Sequence, residues 1–313
     1  MINITTIILS YNEEKNIARC LESIKDWCPV FVVDSFSTDA TKEVSHSYGA
    51  KFFENTYKNH SSQWNWALNN TPIETDWVLC LDSDFIVTEA LKKEIESFLD
   101  DKDEKQYNGF YVIHEYCFWR AHIRYGGVKK FWLRGVRKGK GTADISDLVD
   151  FRFNVDGDIK YIHAKVIEDN EKDNDLTFWI NKQDVFSLRL AVEEELRRRK
   201  LLNWEGNISF FGNTDEKFKY LRDIWLKFPL FVRPFILFFY RYFLSLGFLD
   251  GIGGFLYHFL QGLWLRMIVD MKIWELRTYR LSDSQLVALS QEMLRHKHGS
   301  LGKIIGEKYA ESN

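Results

Sequence analysis

The N-terminal part of the chain alternates short apolar runs with segments whose apolar residues recur at helical spacing. Residues 4–10 form a β-branched run that predicts a strand, and residues 13–23 place Ile17, Leu21 and Ile24 on one helix face. Further strands are predicted at residues 29–34, 51–54 and 77–81, and further helices at 38–48 and 62–69. This alternation predicts an α/β domain with a mostly parallel sheet flanked by helices, and with ligands bound outside the carboxyl ends of the strands.

The C-terminal part has a different pattern. Helices are predicted at residues 176–200 and 282–296, and residues 225–265 between them hold 14 aromatic residues in 41 positions. Charged or polar residues interrupt this segment, so no run of about 18 uncharged apolar residues is available to span a bilayer. Mixed aromatic and basic residues on short helices favour segments that lie in the membrane interface. An aromatic dimer interface is the alternative.

Charge divides the chain at nearly the same place. Residues 1–185 carry 23 Lys and Arg against 31 Asp and Glu, a net charge of −8, and residues 186–313 carry 19 against 14, a net charge of +5, which together give the −3 of the whole chain. We therefore predict an α/β domain over residues 1–185 and a helical region over 186–313. A net charge of −3 argues against electrostatic binding of nucleic acid by the whole protein.

Cysteine usage and the N-terminus predict a cellular location. The four cysteines form no C-x-x-C pair, which predicts reduced core residues at Cys20, Cys28, Cys80 and Cys117. The N-terminal residues lack the basic and apolar regions of a signal peptide. We therefore expect the protein in the cytoplasm or on the cytoplasmic face of a membrane.

The strongest candidate for chemistry is Asp82-Ser83-Asp84, at the end of the apolar run 77–81. Two carboxylates two residues apart at a strand end can reach one divalent cation, while that cation also binds diphosphate oxygens. The alternative is an ordinary solvated turn at the strand end.

Polar side chains also follow the first two predicted strands. Glu13 follows the first strand, and Asp34 and Asp39 follow the second. Carboxylates at these positions can accept hydrogen bonds from a nucleotide base and ribose, although helix capping predicts the same residue types. Neither G-x-G-x-x-G nor G-x-x-x-x-G-K-[ST] occurs, so a dinucleotide fold and a P-loop are disfavoured.

Together these features resemble the family 2 glycosyltransferases, which use nucleotide-diphospho-sugars and have the GT-A fold. The resemblance covers roughly residues 2–185. It implies that Asp82 faces the donor ribose or sugar and that Asp84 binds Mg²⁺ or Mn²⁺. Residues 60–68 resemble the family's helix that closes over the nucleotide, with Trp64 in place of its usual basic residue. The other donor-binding residues implied are Ser10, Tyr11, Asn12, Glu13, Asp34, Ser35, Gln63 and Asn65.

More narrowly, the chain is similar to bacterial β-glycosyltransferases of lipopolysaccharide core and surface polysaccharide. Trp132-Leu133-Arg134 matches their arginine-bearing strand, and the G-F-L-D-G sequence of residues 247–251 matches their membrane-proximal tail. Arg134 is accordingly a candidate phosphate or acceptor contact, with a structural ion pair as the alternative. Where many relatives have a His-Glu pair, this chain has Asp150-Phe151.

The resemblance also implies the chemistry. Inverting transfer needs a carboxylate to accept the proton of the attacking hydroxyl. Glu168-Asp169 precedes a helix with Trp179 and Gln183 in the family's W-x-x-x-Q pattern, so we expect Asp169 as the base, with Glu168 second. The donor expected is a UDP-sugar, and the acceptor a glycan or glycolipid at the membrane surface. Transfer to a polyprenyl phosphate and a non-catalytic membrane scaffold are the alternatives, and a homo-oligomer remains open.

Overall fold

The computed structural model describes residues 2–128, 130–144, 152–204 and 207–295. The strands are β1 Ile4–Ser10, β2 Val30–Asp34, β3 Lys51–Glu54, β4 Trp77–Asp82, β5 Phe85–Val87, β6 Tyr107–Phe118, β7 Ala121–Ile123, β8 Lys130–Arg137, β9 Gly141–Ala143, β10 Phe153–Val155 and β11 Asp158–Asp169. The α-helices are α1 Ile17–Ser23, α2 Thr41–Ser47, α3 His60–Asn70, α4 Glu89–Leu99, α5 Leu176–Arg198, α6 Thr214–Lys227, α7 Arg233–Phe239, α8 Gly251–Tyr257, α9 Leu265–Thr278 and α10 Asp283–Arg295.

Within the described residues, nine strands form one mixed sheet. Its order is β3-β2-β1-β4-β8-β6-β11-β5, and β7 pairs with β6 beside β8. The first four strands are parallel to one another, as the alternation of strands and helices predicts. From β4 onward most neighbours are antiparallel, because β8 enters the sheet between β4 and β6 in the opposite direction. The parallel part therefore brings the carboxyl ends of β1, β2 and β4 to one edge.

The predicted helices α1 and α2 begin three to four residues later than the sequence pattern suggests. The residues before them form turns that bond to each other. The backbone N–H of Glu14 donates to Asp39, and that of Ala40 donates to the Glu14 carboxylate, both at 3.1 Å. These contacts between two distant loops replace the first helical turns, which local propensity cannot anticipate.

Apolar side chains fill both faces of the sheet. One core cluster contains Ile4, Ile8 and Trp77, and the other contains Ile7, Trp64 and Tyr111. The all-buried sequence of β1 explains its uninterrupted apolar run. As predicted, the cysteines are free thiols, and all but the half-buried Cys28 are fully buried.

The C-terminal helices build a core of their own. Apolar residues of α5, α9 and α10 pack together, among them Leu188, Val269 and Leu289. The predicted boundary at residue 185 falls within α5, which runs on from the β11 end of the sheet into this second core. A small aromatic cluster of Phe118 and Trp179, with Tyr257 packed against it, joins the β6–β7 hairpin to the C-terminal region.

No single helix among the described residues is long and apolar enough to cross a membrane. A bent pair, Arg233–Leu244 and Gly247–Thr278, meets the length and composition test when its two parts are taken together, and these parts meet at 71°. Many of its apolar side chains are exposed.

Candidate active site

A cleft with a volume of about 360 Å³ opens at the carboxyl ends of β1, β2 and β4. Carboxylates, hydroxyls and aromatic rings share its wall, and this mixture suits a polar ligand with a planar base. The lining residues are Leu9, Ser10, Tyr11, Glu13, Ser35, Tyr57, His60, Gln63, Asp82, Ser83, Asp84, Phe85, Trp132, Arg134 and Glu168.

Asp82 ends β4 and is held between two cationic or polar partners. Its Oδ2 lies 3.3 Å from Nη2 of Arg134, and its Oδ1 lies 3.2 Å from Nε2 of His60. Burial by itself raises the pKa of Asp82, but the charge of Arg134 and the hydrogen bond from His60 outweigh it and hold the pKa at about 2. Asp82 is therefore a permanent anion in the cleft.

The surroundings of Asp84 raise its pKa, whereas those of Asp82 lower it. Burial raises the pKa of Asp84 well above its usual range, and the charges of Glu168, Asp82 and Glu13 raise it further. Its Oδ2 accepts a hydrogen bond of 3.1 Å from the Asn170 amide. Asp84 and Glu168 meet because β5 pairs antiparallel with β11, with Phe85 opposite Glu168, so the residue before Phe85 lies beside the end of β11. Glu168, Asp82 and Glu13 are paired with His114, Arg134 and Lys172, while the charge of Lys182 offsets only part of the repulsion at Asp84.

This crowding fits a divalent cation. A cation between Asp84 and its neighbours relieves the repulsion that raises the pKa of Asp84. In the described ranges, no group of three or more His, Cys, Asp or Glu side chains is arranged to hold a metal ion by itself. Asp84, with the carboxylates close to it, would suit Mg²⁺ or Mn²⁺ held by one or two carboxylates, with the remaining ligands supplied by substrate phosphate and water.

The two acids at the end of β11 have different surroundings. Glu168 lines the cleft, and its Oε2 lies 2.6 Å from Nε2 of His114. Asp169 is absent from the lining and is engaged by Arg19, which donates 2.6 Å hydrogen bonds to its carboxylate and to its carbonyl oxygen. Of the two acids predicted as the base, Glu168 faces the cleft and Asp169 ties α1 to β11.

Of the residues that follow β1 and β2, some line the cleft and others hold the loops in place. Ser10, Tyr11, Glu13 and Ser35 line the cleft. Asp34 is 1% exposed and instead accepts a 2.6 Å hydrogen bond from the Ser10 hydroxyl. Asn12 has a left-handed backbone with φ of 53°, and its side chain accepts from the N–H of Thr38 at 2.8 Å. Asp34 and Asn12 therefore shape the two loops, while their neighbours face the cleft.

Helix α3 contributes two lining residues, His60 and Gln63, and one structural residue, Asn65. Gln63 lies on the cleft wall, and its amide nitrogen donates to the Ser35 hydroxyl at 3.3 Å. Asn65 is outside the lining, because its side-chain amide exchanges hydrogen bonds of 2.9 and 2.7 Å with the backbone of Ala143 in β9. Trp64, at the place of the family's basic residue, is fully buried against Phe153.

Several lining residues were not predicted from the sequence. His60 and Trp132 lie within the segments 60–68 and 132–134 that resemble the family, although neither was predicted as a site residue. Tyr57 carries no such signal; burial raises the pKa of its hydroxyl, and Arg189 of α5, which hydrogen-bonds it, acts in the opposite direction. Asp150-Phe151, which stands where many relatives have a His-Glu pair, lies outside the described residues.

Comparison with known sequences finds a family match for the N-terminal part of the chain. Residues 5–153 match the family described as glycosyl transferase family 2. An uncharacterised glycosyltransferase of Rickettsia typhi is 32% identical over 113 residues, which are 36% of this chain and 38% of that protein. The lipopolysaccharide core biosynthesis glycosyltransferase LpsC of Rhizobium meliloti is 26% identical over 152 residues, 47% of this chain and 55% of LpsC. The chain thus spans about two fifths to a little over half of the length of these curated relatives.

Solved structures resemble the chain at low identity. A mannosyltransferase of Pyrobaculum calidifontis in complex with GDP-Man and Mn²⁺ has a TM-score of 0.40 and 14% identity, over 94% of this chain and 81% of the other. The mixed sheet flanked by helices, followed by a helical C-terminal region, confirms the predicted GT-A fold class. The match to glycosyl transferase family 2 over residues 5–153 includes β4 and β8 and nearly all of β1, the strands that carry the cleft.

Proposed function

We propose that the protein is an inverting, metal-dependent glycosyltransferase that transfers a sugar from a nucleotide diphosphate, such as UDP, to a lipid-linked or polysaccharide acceptor. The observation that carries this proposal is the meeting of Asp82, Asp84 and Glu168 in one cleft at the carboxyl ends of β1 and β4. A binding scaffold has no need for three acids around one cavity. The similarity to LpsC supports a lipopolysaccharide-type acceptor.

Different lining residues of the cleft would contact the different parts of the donor. Ser10, Tyr11 and Ser35 would contact the nucleoside, and Asp82 would contact the ribose or sugar. Asp84 would hold Mg²⁺ or Mn²⁺, which when bound neutralises charge on the leaving diphosphate. The Arg134 guanidinium, fixed over the rings of Phe85 and Trp132, keeps Asp82 ionised and so preserves its capacity to accept hydrogen bonds.

Glu168 would act as the base. The acceptor hydroxyl would lose its proton to Glu168 as its oxygen bonds to the anomeric carbon, and the bond from that carbon to the diphosphate oxygen would break. His114, 2.6 Å away and 10% exposed, would orient the carboxylate. The engagement of Asp169 by Arg19 supports Glu168, rather than Asp169, in this role.

The apolar face of residues 232–259 would bind the surface of a membrane. Its side chains are 37–75% exposed at many positions, including Phe235, Phe239, Leu244 and Ile252. A continuous aromatic and aliphatic face with few charges matches the membrane interface. We propose the cytoplasmic face of the inner membrane as this surface, the location expected from the sequence. An interface between two copies of the chain is the competing use of the same face.

A second candidate is transfer to a polyprenyl phosphate. The bent helix pair meets the length and composition test for a membrane span when its parts are combined, and a more deeply inserted tail would suit that acceptor.

Calorimetric titration with UDP and with GDP, each with Mn²⁺ and with EDTA, tests the transferase proposal. We expect one nucleotide to bind only when Mn²⁺ is present, which would also restrict the donor to the sugars of that nucleotide. Failure of every common nucleotide diphosphate to bind would overturn the proposal and favour a membrane scaffold. Transfer assays with lipopolysaccharide core and with polyprenyl phosphate then distinguish the two acceptors.

A further inference from the structure

The loop between β7 and β8 is held by the C-terminal region. Oδ2 of Asp250 accepts hydrogen bonds from the backbone N–H groups of Arg124 and Tyr125, both at 2.9 Å. The next N–H, that of Gly126, donates to the carbonyl oxygen of Ser245 at 2.8 Å. Three consecutive backbone donors of this loop are therefore satisfied by residues more than 100 positions away.

Close packing around His258 fixes the same contact. A Cβ atom on Gly126, which has φ of 82°, would lie 2.0 Å from the His258 ring, and one on Gly247 would lie 2.5 Å from it. On the neighbouring helix α8, a Cβ on Gly253 would lie 2.4 Å from the Ala121 side chain. Because glycine has no Cβ, these positions let the segment of residues 247–258 approach β7 and the loop after it this closely.

The held loop begins near the proposed base. Ile123 of β7 is opposite Tyr116 of β6, and Tyr116 is opposite Glu168 of β11. Because neighbouring strands are about 4.8 Å apart, Ile123 lies two strand spacings, about 10 Å, from Glu168. The loop then leads into β8, which carries Trp132 and Arg134 of the cleft.

The other side of the same segment faces outward. Leu249 and Ile252, which flank Asp250, are 53% and 75% exposed, and Phe248 is 43% exposed. Asp250 thus stands between the apolar face and the loop beside the cleft.

We propose that Asp250 is a positioning residue. It fixes the β7–β8 loop to the apolar face of residues 232–259, so that a glycolipid acceptor held at the membrane meets the cleft in one orientation. This inference rests on the proposed transferase function. It assigns Asp250 a role in the use of the acceptor and none in nucleotide binding. The hydrogen bonds of Asp250 are charge-assisted, a class stronger than hydrogen bonds between neutral groups.

Hydrogen exchange tests the contact without any acceptor. In Asp250→Ala we expect the amides of Arg124 and Tyr125 to exchange about tenfold faster or more, with β1 amides unchanged. Since one oxygen accepts both bonds, Asp250→Asn retains an acceptor and is expected to keep most of the protection. Asp223→Ala, at a partly exposed aspartate of α6, is the control. Loop exchange at the wild-type rate in Asp250→Ala would overturn the inference.

Steady-state kinetics tests the role. The acceptor probe is lipopolysaccharide core from Rhizobium meliloti. We expect Asp250→Ala to raise the KM for this acceptor about tenfold, and Asp250→Asn to have a KM close to that of the wild type. The affinity for UDP should stay within about twofold of the wild type in both variants. An unchanged acceptor KM, or a parallel loss of UDP affinity, would contradict the positioning role. Wild-type protein that binds no nucleotide would contradict the transferase proposal instead, and the exchange result would still decide whether Asp250 holds the loop.

Discussion

Arg134 of β8 and Asp82 of β4 form an ion pair of 3.3 Å inside the cleft. The Arg134 side chain is only 2% exposed, and its guanidinium lies 4.6 Å from the ring centroid of Phe85. Asp82 therefore owes its low pKa to a cation that reaches it from another strand of the sheet. This pair links the stability of the fold to the charge of the cleft.

Removal of Arg134 should leave Asp82 without its main countercharge. We expect Arg134→Met to lower the free energy of unfolding by about 2 kcal/mol, and Asp82→Asn in the same chain to recover part of that loss. Urea unfolding at pH 7 measures both. Arg120→Met, at a 79% exposed side chain, is the control. Equal stability of the single and double variants would argue against the ion pair.

Neutralising Asp84 should separate binding from stability. We expect Asp84→Asn to abolish Mn²⁺-dependent nucleotide binding and transfer, while its unfolding temperature equals or exceeds that of the wild type. The reason is that the buried charge of Asp84 is repelled by Glu168, Asp82 and Glu13. Calorimetry and thermal unfolding measure the two effects, with the exposed Asp100→Asn as the control. Full activity with Mn²⁺ would exclude Asp84 as a metal ligand.

The two acids at the end of β11 should respond differently. Glu168→Gln should retain nucleotide binding and lose turnover about 10²–10⁴-fold, because proton acceptance contributes that much. Asp169→Asn should lower stability by removing the Arg19 ion pair and leave most of the turnover. Measurement of kcat and of nucleotide affinity in both variants decides which of the two acids is the base. The reverse result would restore Asp169 as the base, as the sequence resemblance suggests.

His258 should make the stability of the protein depend on pH. Burial lowers the pKa of His258 to about 4, the charge of Arg241 lowers it as well, and Asp250 and the Tyr125 backbone act in the opposite direction. In the unfolded chain a histidine binds a proton with a pKa near 6.5, whereas folded His258 does so only near pH 4. The free energy of unfolding is therefore unaffected by His258 above about pH 6.5 and decreases as the pH falls toward 4, by up to about 1.4 kcal/mol per pH unit. Denaturant unfolding at pH 7, 6 and 5 measures this slope. A slope that is the same in His258→Gln would assign it to other groups.

The apolar face should bind vesicles through its most exposed residues. Burying an isoleucine side chain contributes about 1.5–3 kcal/mol, so Ile252→Asp should weaken binding to phosphatidylcholine–phosphatidylglycerol vesicles by about tenfold or more. Co-sedimentation measures this binding. Leu221→Asp, at a 55% exposed residue of α6, should bind like the wild type. If neither the wild type nor the variants bind vesicles and the wild type is a dimer, the face is an interface between copies.

Local sequence patterns predicted the N-terminal strands well. The bounds of β1 and β3 agree with the prediction. Strand β1 is buried along its whole length and is therefore an uninterrupted apolar run, whereas β3, at the edge of the sheet, is only partly buried. The cleft residues Ser10, Gln63 and Asp82 were also predicted, since strand ends and the family motif place polar residues there. The order of the later strands was not predicted, because β8 joins β4 through contacts between distant segments.

The sequence by itself determined which residue types stand at the strand ends, and therefore the resemblance to the family and the acidic character of the cleft. Tertiary structure alone decided which of them face the cleft. Asp34, Asn65 and Asp169 belong to predicted motifs but are held by Ser10, Ala143 and Arg19, respectively. A side chain turns toward a ligand or toward its neighbours according to partners far away in the chain, and no local pattern contains them.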